Sequence, residues 1–314
     1  MKCNQILIIR TGALGDVILT LPVIQSLRSA FPRAQIQMLG KTDTLTLAQE
    51  YINRFDSIDH ADWAPFFIAN RTLPPNRVQN LSATDLVLSY LPDPDGIFTA
   101  NLRRAGAQTV ISYPPHPPED GRLHTTDHLL RPLMDMDLPV ASRQPQITLE
   151  PAETEAPTVK GLADHFVAIH PGSGGVFKRW PSERFAQLAD HLIQIGWPVV
   201  LLSGPADGDL NREILDQMSC TPTCMPQLPL RHLAAVLQRA TVYLGNDSGP
   251  SHLSAAVGTP TLALFGPTDP RIWAPRGKTV HIIQGDLHSP LEQRLKTILI
   301  PQVLKYLHPY IHRS

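Results

Sequence analysis

Cysteine is scarce. The chain of 314 residues holds three, Cys3, Cys220 and Cys224. Three thiols cannot build a disulfide framework, which points to a reducing compartment. Charge is scarce as well. Asp, Glu, Lys and Arg make up 18% of the chain, against a usual ~25%, and they nearly cancel to a net charge of -1. A nucleic-acid binder needs a basic face, so no nucleic-acid partner is expected. Long apolar runs are missing too, and nothing approaches the ~18 residues of a membrane span. The first residues enter a strand-like run at Ile6 to Ile9. An apolar signal region of about 7–15 residues is absent there. The expectation is a soluble, cytoplasmic protein.

Proline, by contrast, is in excess, at 31 residues. That is roughly double the usual ~5%. Such a bias often marks disorder. Here 42% of residues are apolar, and they fall in periodic runs, so the chain folds.

Those runs alternate in type. Gln5 to Ile9 reads as a buried strand, Thr11 to Gly15 as a turn, and Asp16 to Ala30 as a helix. Leu19, Val23, Leu27 and Ala30 give that helix one apolar stripe. Gln35 to Leu39 and Asp85 to Tyr90 read as strands, and Thr125 to Met136 as a helix. Residues 141–164 change character, and Ala152 to Pro157 suits a linker between domains. Strands then follow at His165 to His170, Pro198 to Ser203, Thr241 to Leu244 and Thr261 to Phe265. Helices intervene at Pro181 to Ile195, Asp209 to Met218, Leu230 to Arg239 and Ser251 to Val257. Pro181 suits a first helical position and Gly196 the residue just past an end. Ser289 to Leu307 closes the chain as a helix. Strand–helix alternation predicts parallel sheets covered on both faces. The fold class expected is α/β, with two doubly wound Rossmann-like domains, 1–150 and 151–314, facing a cleft.

Three loops carry chemistry. Thr11-Gly12-Ala13-Leu14-Gly15-Asp16 turns from a strand into a helix. Its spacing is not G-x-G-x-x-G, which disfavours a dinucleotide dehydrogenase. Asp16 stands where an N-cap residue would, so it either caps the helix or serves as a general base. The second loop is His170-Pro171-Gly172-Ser173-Gly174-Gly175, followed by Lys178-Arg179-Trp180-Pro181. Clustered glycines leave backbone N–H groups open to a phosphate, and Lys178 adds charge. A flexible surface loop is the plain alternative. The third loop, Gly245-Asn246-Asp247-Ser248-Gly249-Pro250-Ser251-His252, opens a helix. Asp247 and Ser248 can cap it, and its N-terminus suits an anion. Taken alone, His252 fits a packed core histidine equally well. Gly266-Pro267-Thr268-Asp269-Pro270 belongs on the same rim.

Two patterns are decoys. Asp93-Pro94-Asp95 has the D-x-D spacing of metal-assisted transfer but reads as a turn. Cys220 and Cys224 lack zinc-finger partners, and no H-E-x-x-H occurs among 13 histidines, so no metal is expected. The patch Trp63 to Phe67, with Arg71 and Arg77, is either core or a contact for an acceptor or membrane.

Together the three loops resemble glycosyltransferase family 9, the bacterial heptosyltransferases of lipopolysaccharide core assembly. Leu264 to Pro270 and Trp273-Ala274-Pro275 are similar to that family too. The resemblance is near-continuous from His165 to Pro275 and clear for Gln5 to Ala30. It implies a GT-B fold, with an acceptor domain followed by a donor domain. It also implies inverting, metal-independent transfer of heptose from ADP-heptose, without a cofactor. Asp16 falls on the catalytic-base position. Ser173 and Lys178 fall on donor-phosphate positions, and Asp247, Ser248, Gly249 and His252 on the donor loop. Gly12, Gly15, Gly172 and Gly174 are counted with the donor-binding groups. Arg10, Arg71 and Arg122 are the cations expected to meet a glycan or lipid-linked acceptor. An acceptor of that kind would bring the protein to the cytoplasmic face of the inner membrane. Another nucleotide sugar, an epimerase, and a non-catalytic nucleotide-sugar-binding module are the alternative readings. The segments Leu91 to Gly121 and Trp63 to Phe67 match no family motif.

Overall fold

The apolar runs at Gln5 and His165 become central strands of two parallel sheets. The computed structural model describes residues 3–118, 123–205 and 207–311. The chain divides into two compact units, Met1–Pro145 and Gln146–Ser314.

In the first unit the strands are β1 (Gln5–Arg10), β2 (Gln35–Gly40), β3 (Arg54–Ser57), β4 (Leu86–Ser89) and β5 (Thr109–Ser112). Their order is β3-β2-β1-β4-β5, with every pairing parallel. The chain winds one way from β1 to β3, then crosses over to β4. The order therefore reverses between β1 and β4. Ligands of such sheets lie beyond the carboxyl ends of the strands at that reversal. Thr11 to Asp16 sits there, directly after β1.

The second unit repeats the logic. Its strands are β6 (Val167–His170), β7 (Val199–Leu202), β8 (Thr223–Met225), β9 (Val242–Asn246), β10 (Thr261–Phe265) and β11 (Val280–Gln284). They lie in the order β11-β10-β9-β6-β7-β8, again all parallel. The reversal falls between β6 and β9. The loops leaving these two strands are Pro171 to Gly175 and Asp247-Ser248.

Several elements differ from their sequence reading. The first helix runs Leu14–Ala30, two residues earlier than expected, with Ala13 as N-cap. Asp16 is therefore the third helical residue, not the cap. From Val17 to Leu27 the helix is buried on every side, not along one stripe. It packs between the sheet and the helix Thr125–Asp135. Pro181 is the N-cap of the helix Ser182–Gln194, one place before the expected position. Gly196, with φ +89°, takes the left-handed turn after it.

Residues 151–160 are no free linker. They form two short helices, Pro151–Thr154 and Pro157–Lys160, packed on the helix Leu230–Arg239. Arg231 pairs with Glu153 at 2.6 Å and holds its carboxyl below the ordinary value. Arg239 donates to the Val159 and Leu162 carbonyls. The C-terminal helix is broken into a 3-10 segment, Leu291–Thr297, and the helix Ile300–Ile311. The break is at Ile298, whose backbone is extended. Among the described residues no helix is long and apolar enough to cross a membrane.

Candidate active site

Asp16 is held from two sides within the first unit. Arg10, the last residue of β1, reaches its Oδ1 through Nη2 at 2.9 Å. The backbone N–H of Ala13 donates to its Oδ2, also at 2.9 Å. This is half of a capping box, with the side chain reaching back to the N-cap amide. His116 Nε2 stands 3.5 Å from Oδ1. A carboxylate oxygen has about two acceptor sites, so Oδ2, which accepts the Ala13 N–H, keeps room for a hydroxyl. The side chain of Asp16 is 19% exposed, whereas that of Arg10 is 0% exposed. Arg10 is also anchored from behind, since its Nη1 donates to the Pro115 carbonyl. Burial pulls its guanidinium below the usual value, and Asp16 opposes that. An arginine nonetheless stays charged.

Arg10 was expected to meet an acceptor; its guanidinium is fully buried and turned onto Asp16. Arg71 is exposed on the surface. Arg122 lies outside the described residues. Gly12 and Gly15 flank Asp16. A Cβ on Gly12 would stand 2.7 Å from the Asp16 Oδ2, so this glycine makes room for the carboxylate. Gly15 is inside the first turn of the helix. The Pro-rich segment thus has a structural task at Pro115. Asp93 has one as well: its carboxylate accepts from the Phe98 and Thr99 N–H groups at the start of the helix Ile97–Arg104. The D-x-D pattern is spent on that turn.

The aromatic patch divides. Trp63 and Phe66 are buried in the core of the first unit. The Arg77 guanidinium stacks 4.7 Å over the Trp63 ring and pairs with Asp56. Phe67 and Ile68 stay exposed.

In the second unit the residues converge on Asp247, just after β9. Lys178 Nζ lies 2.6 Å from its Oδ2. The Thr268 hydroxyl donates to the same oxygen at 2.6 Å. Here the exposure is reversed: Asp247 is 7% exposed and Lys178 33%. The cation, not the carboxylate, faces outward. Gly174 is exposed and Gly175 partly so, which leaves their amides accessible beside it.

Ser173 is buried, and its hydroxyl donates to the Asp247 carbonyl at 2.9 Å. It ties the second loop to the third. Neither Asp247 nor Ser248 caps the helix Gly249–Ala256 by a side-chain bond. The Asp247 carboxylate is already taken by stronger, charge-assisted bonds. Ser248 is the N-cap by position; Pro250 has no N–H and the Ser251 N–H donates to the Ser248 carbonyl, so that helix start offers an anion the Gly249 N–H and the positive end of its dipole. His252 is buried in the second turn of the same helix.

Several participants were given no role by the sequence, although Asn246, Arg179 and His170 lie within the quoted loops and only Asp207 lies outside them. Asn246 is fully buried and bonds both the Trp180 N–H and the Pro171 carbonyl. Arg179 donates twice to the Ser173 carbonyl. Asp207 meets His170 Nε2 at 3.0 Å, with both residues buried. His170 holds the Asp207 carboxyl below its ordinary value, against the effect of burial. A second polar cavity, of about 490 Å³, lies at the opposite, amino ends of β1 and β2. Among the described residues no three His, Cys, Asp or Glu side chains gather around a metal position.

This geometry can do two things. An accessible carboxylate at the end of β1 can take a proton. An accessible ammonium, with open amides and a helix start, can hold an anion. Comparison with known proteins supplies the context. The model of glycosyltransferase family 9 (heptosyltransferase) matches residues 116–299. The lipopolysaccharide heptosyltransferase 3 of Escherichia coli K12 is 30% identical over 296 residues, 86% of this chain and 84% of that protein. Among solved structures, the glycosyl transferase family 9 protein from Veillonella parvula aligns over 99% of this chain and 98% of its own, with TM-score 0.78 and 22% identity. The E. coli ADP-heptose lps heptosyltransferase II aligns over 98% of both chains, with TM-score 0.75 and 20% identity. Two parallel-sheet α/β units in this family constitute the GT-B fold class.

Proposed function

The chain belongs to glycosyltransferase family 9, and from that premise we propose that it moves a heptose from ADP-heptose to a lipopolysaccharide-core or related glycan acceptor. The transfer is proposed to invert the anomeric centre and to need no metal.

One observation carries the reading. The two units each pair a carboxylate with a cation, and the accessible partner differs. Asp16 is the accessible member of its pair. As the acceptor oxygen bonds to the sugar's anomeric carbon, Asp16 takes the hydroxyl proton. The bond from that carbon to the diphosphate breaks, and its electrons leave with the nucleotide. Lys178 is the accessible member of the other pair. It meets the growing negative charge, with the Gly174 and Gly175 amides and the helix start at Gly249. The proposed base is carried by one unit and the donor groups by the other, so transfer requires both. An acceptor of this class places the work at the cytoplasmic face of the inner membrane.

The test is a donor panel. Purified protein is given ADP-heptose or UDP-sugars, with and without a heptose-bearing core acceptor. Transfer from ADP-heptose with inverted anomeric signals is the expected product. Preference for a UDP-sugar, or an isomer formed from donor alone, would contradict the reading. Chelator should leave the rate unchanged. Loss on chelation, restored by a divalent ion, would overturn the metal-independent part.

A further inference from the structure

The donor reading leaves a buried ion pair unexplained. His170 ends β6, and Asp207 follows β7, in neighbouring loops. Both side chains are buried, at 6% and 7% exposed, which suits support of a neighbour more than contact with a substrate. His170 Nε2 faces the Asp207 Oδ2 at 3.0 Å, and its buried Nδ1 has no hydrogen-bond partner among the described residues.

What the Asp207 carboxylate touches is informative. It accepts the Gly204 N–H at 2.8 Å. A Cβ placed on Gly204 would stand 2.7 Å from its Oδ2. A Cβ placed on Gly172 would stand 2.2 Å from both of its oxygens. The carboxylate is therefore wedged between two glycines, one from each loop. Any side chain at Gly172 would displace it. The same loop is tied from its other side by Asn246 to Pro171, by Ser173 to Asp247 and by Arg179 to Ser173. Those bonds hold the residues on either side of Gly172, and the Asp207 wedge bears on Gly172 itself.

We propose that His170 and Asp207 are positioning residues that lock the Pro171–Gly175 loop into the shape that receives the donor diphosphate. This rests on the donor reading of the second unit. The charge is what makes the wedge rigid. A carboxylate that faces the His170 ring nitrogen and accepts the Gly204 N–H is fixed in direction, whereas a neutral amide of the same size is held weakly. The glycine at 172 is then required by the wedge, not by a turn, since its φ is not in the left-handed region.

Two readouts on the full chain test this, with wild type, Asp207→Asn and Gly172→Ala compared. Gly172→Ala keeps both charged residues and disturbs only their fit. The first readout is amide hydrogen exchange over residues 171–178 without ligand. The second is calorimetric titration with ADP, alongside kcat and KM for the donor. Both variants should keep the cooperative melt and exchange faster in that segment. Their ADP affinity should fall by about tenfold to a hundredfold, as misplacement of a binding group does. At saturating donor, kcat should fall as well, because the same loop amides meet the charge that grows on the leaving diphosphate. A purely structural role would lower the melting temperature and leave ADP affinity unchanged, which overturns the proposal. Unchanged exchange in a folded variant overturns it as well. Wild type that exchanges slowly yet ignores ADP would refute the donor reading and, with it, the task assigned to the lock.

Discussion

Arg10–Asp16 and Lys178–Asp247 are the same chemistry turned inside out. In the first unit the cation is sealed and the carboxylate looks out. In the second the carboxylate is sealed and the cation looks out. A buried partner can only orient, because nothing else can reach it. The reachable partner is where a substrate is met. The inversion thus separates a proton acceptor from an anion holder, although both units place their pair at the same kind of strand reversal. His170–Asp207 is the limiting case, with both members sealed, and it can act only on its neighbours.

Asp16→Asn should produce the largest effect. It removes the accessible carboxylate and should lower transfer by about a thousandfold. ADP affinity should stay within a few-fold. A wild-type rate would end the base assignment. Lys178→Ala comes next. It should weaken ADP binding by about 1.5–3 kcal/mol, the range for a charged hydrogen bond. Unchanged affinity would show that the outward cation meets nothing.

The buried partners sharpen the comparison. Arg10→Met keeps the packing and removes the clamp. Transfer should drop by about tenfold to a hundredfold through a misplaced carboxylate, with ADP affinity unaffected. A change in acceptor KM alone would instead return Arg10 to acceptor binding. Thr268→Val is the mildest. It removes one bond to Asp247 and should cost about 0.5–1.5 kcal/mol of ADP affinity. An effect as large as that of Lys178→Ala would mean that Thr268 itself meets the donor.

The parts of the molecule differ in how far the sequence exposed them. β1, β6, β7, β9 and β10 stand out because interior parallel strands are covered on both faces and read as unbroken apolar runs. β3, β8 and β11 escape notice for the converse reason. They are sheet edges, partly exposed, and runs such as Arg54–Ser57 carry no alternation to read. The site divides likewise. Asp16, Lys178 and Asp247 are visible as residue types placed after strands. Their partners are not, because the pairing is a tertiary fact. Lys178 and Asp247 meet across 69 residues. Arg10, expected to meet an acceptor, is buried against Asp16 and Pro115. Ser173, expected at a donor phosphate, donates to the Asp247 carbonyl. Pro171 and Pro267 lie within the loops of the second unit, Pro250 is in the first turn of the helix Gly249–Ala256, and the Pro115 carbonyl supports the arginine behind Asp16.

The inversion is tested most directly by titrating ADP into Asp16→Asn and Lys178→Ala side by side. The account predicts near-wild-type affinity in the first and a loss of at least about tenfold in the second. Equal losses, or a loss confined to Asp16→Asn, would contradict it.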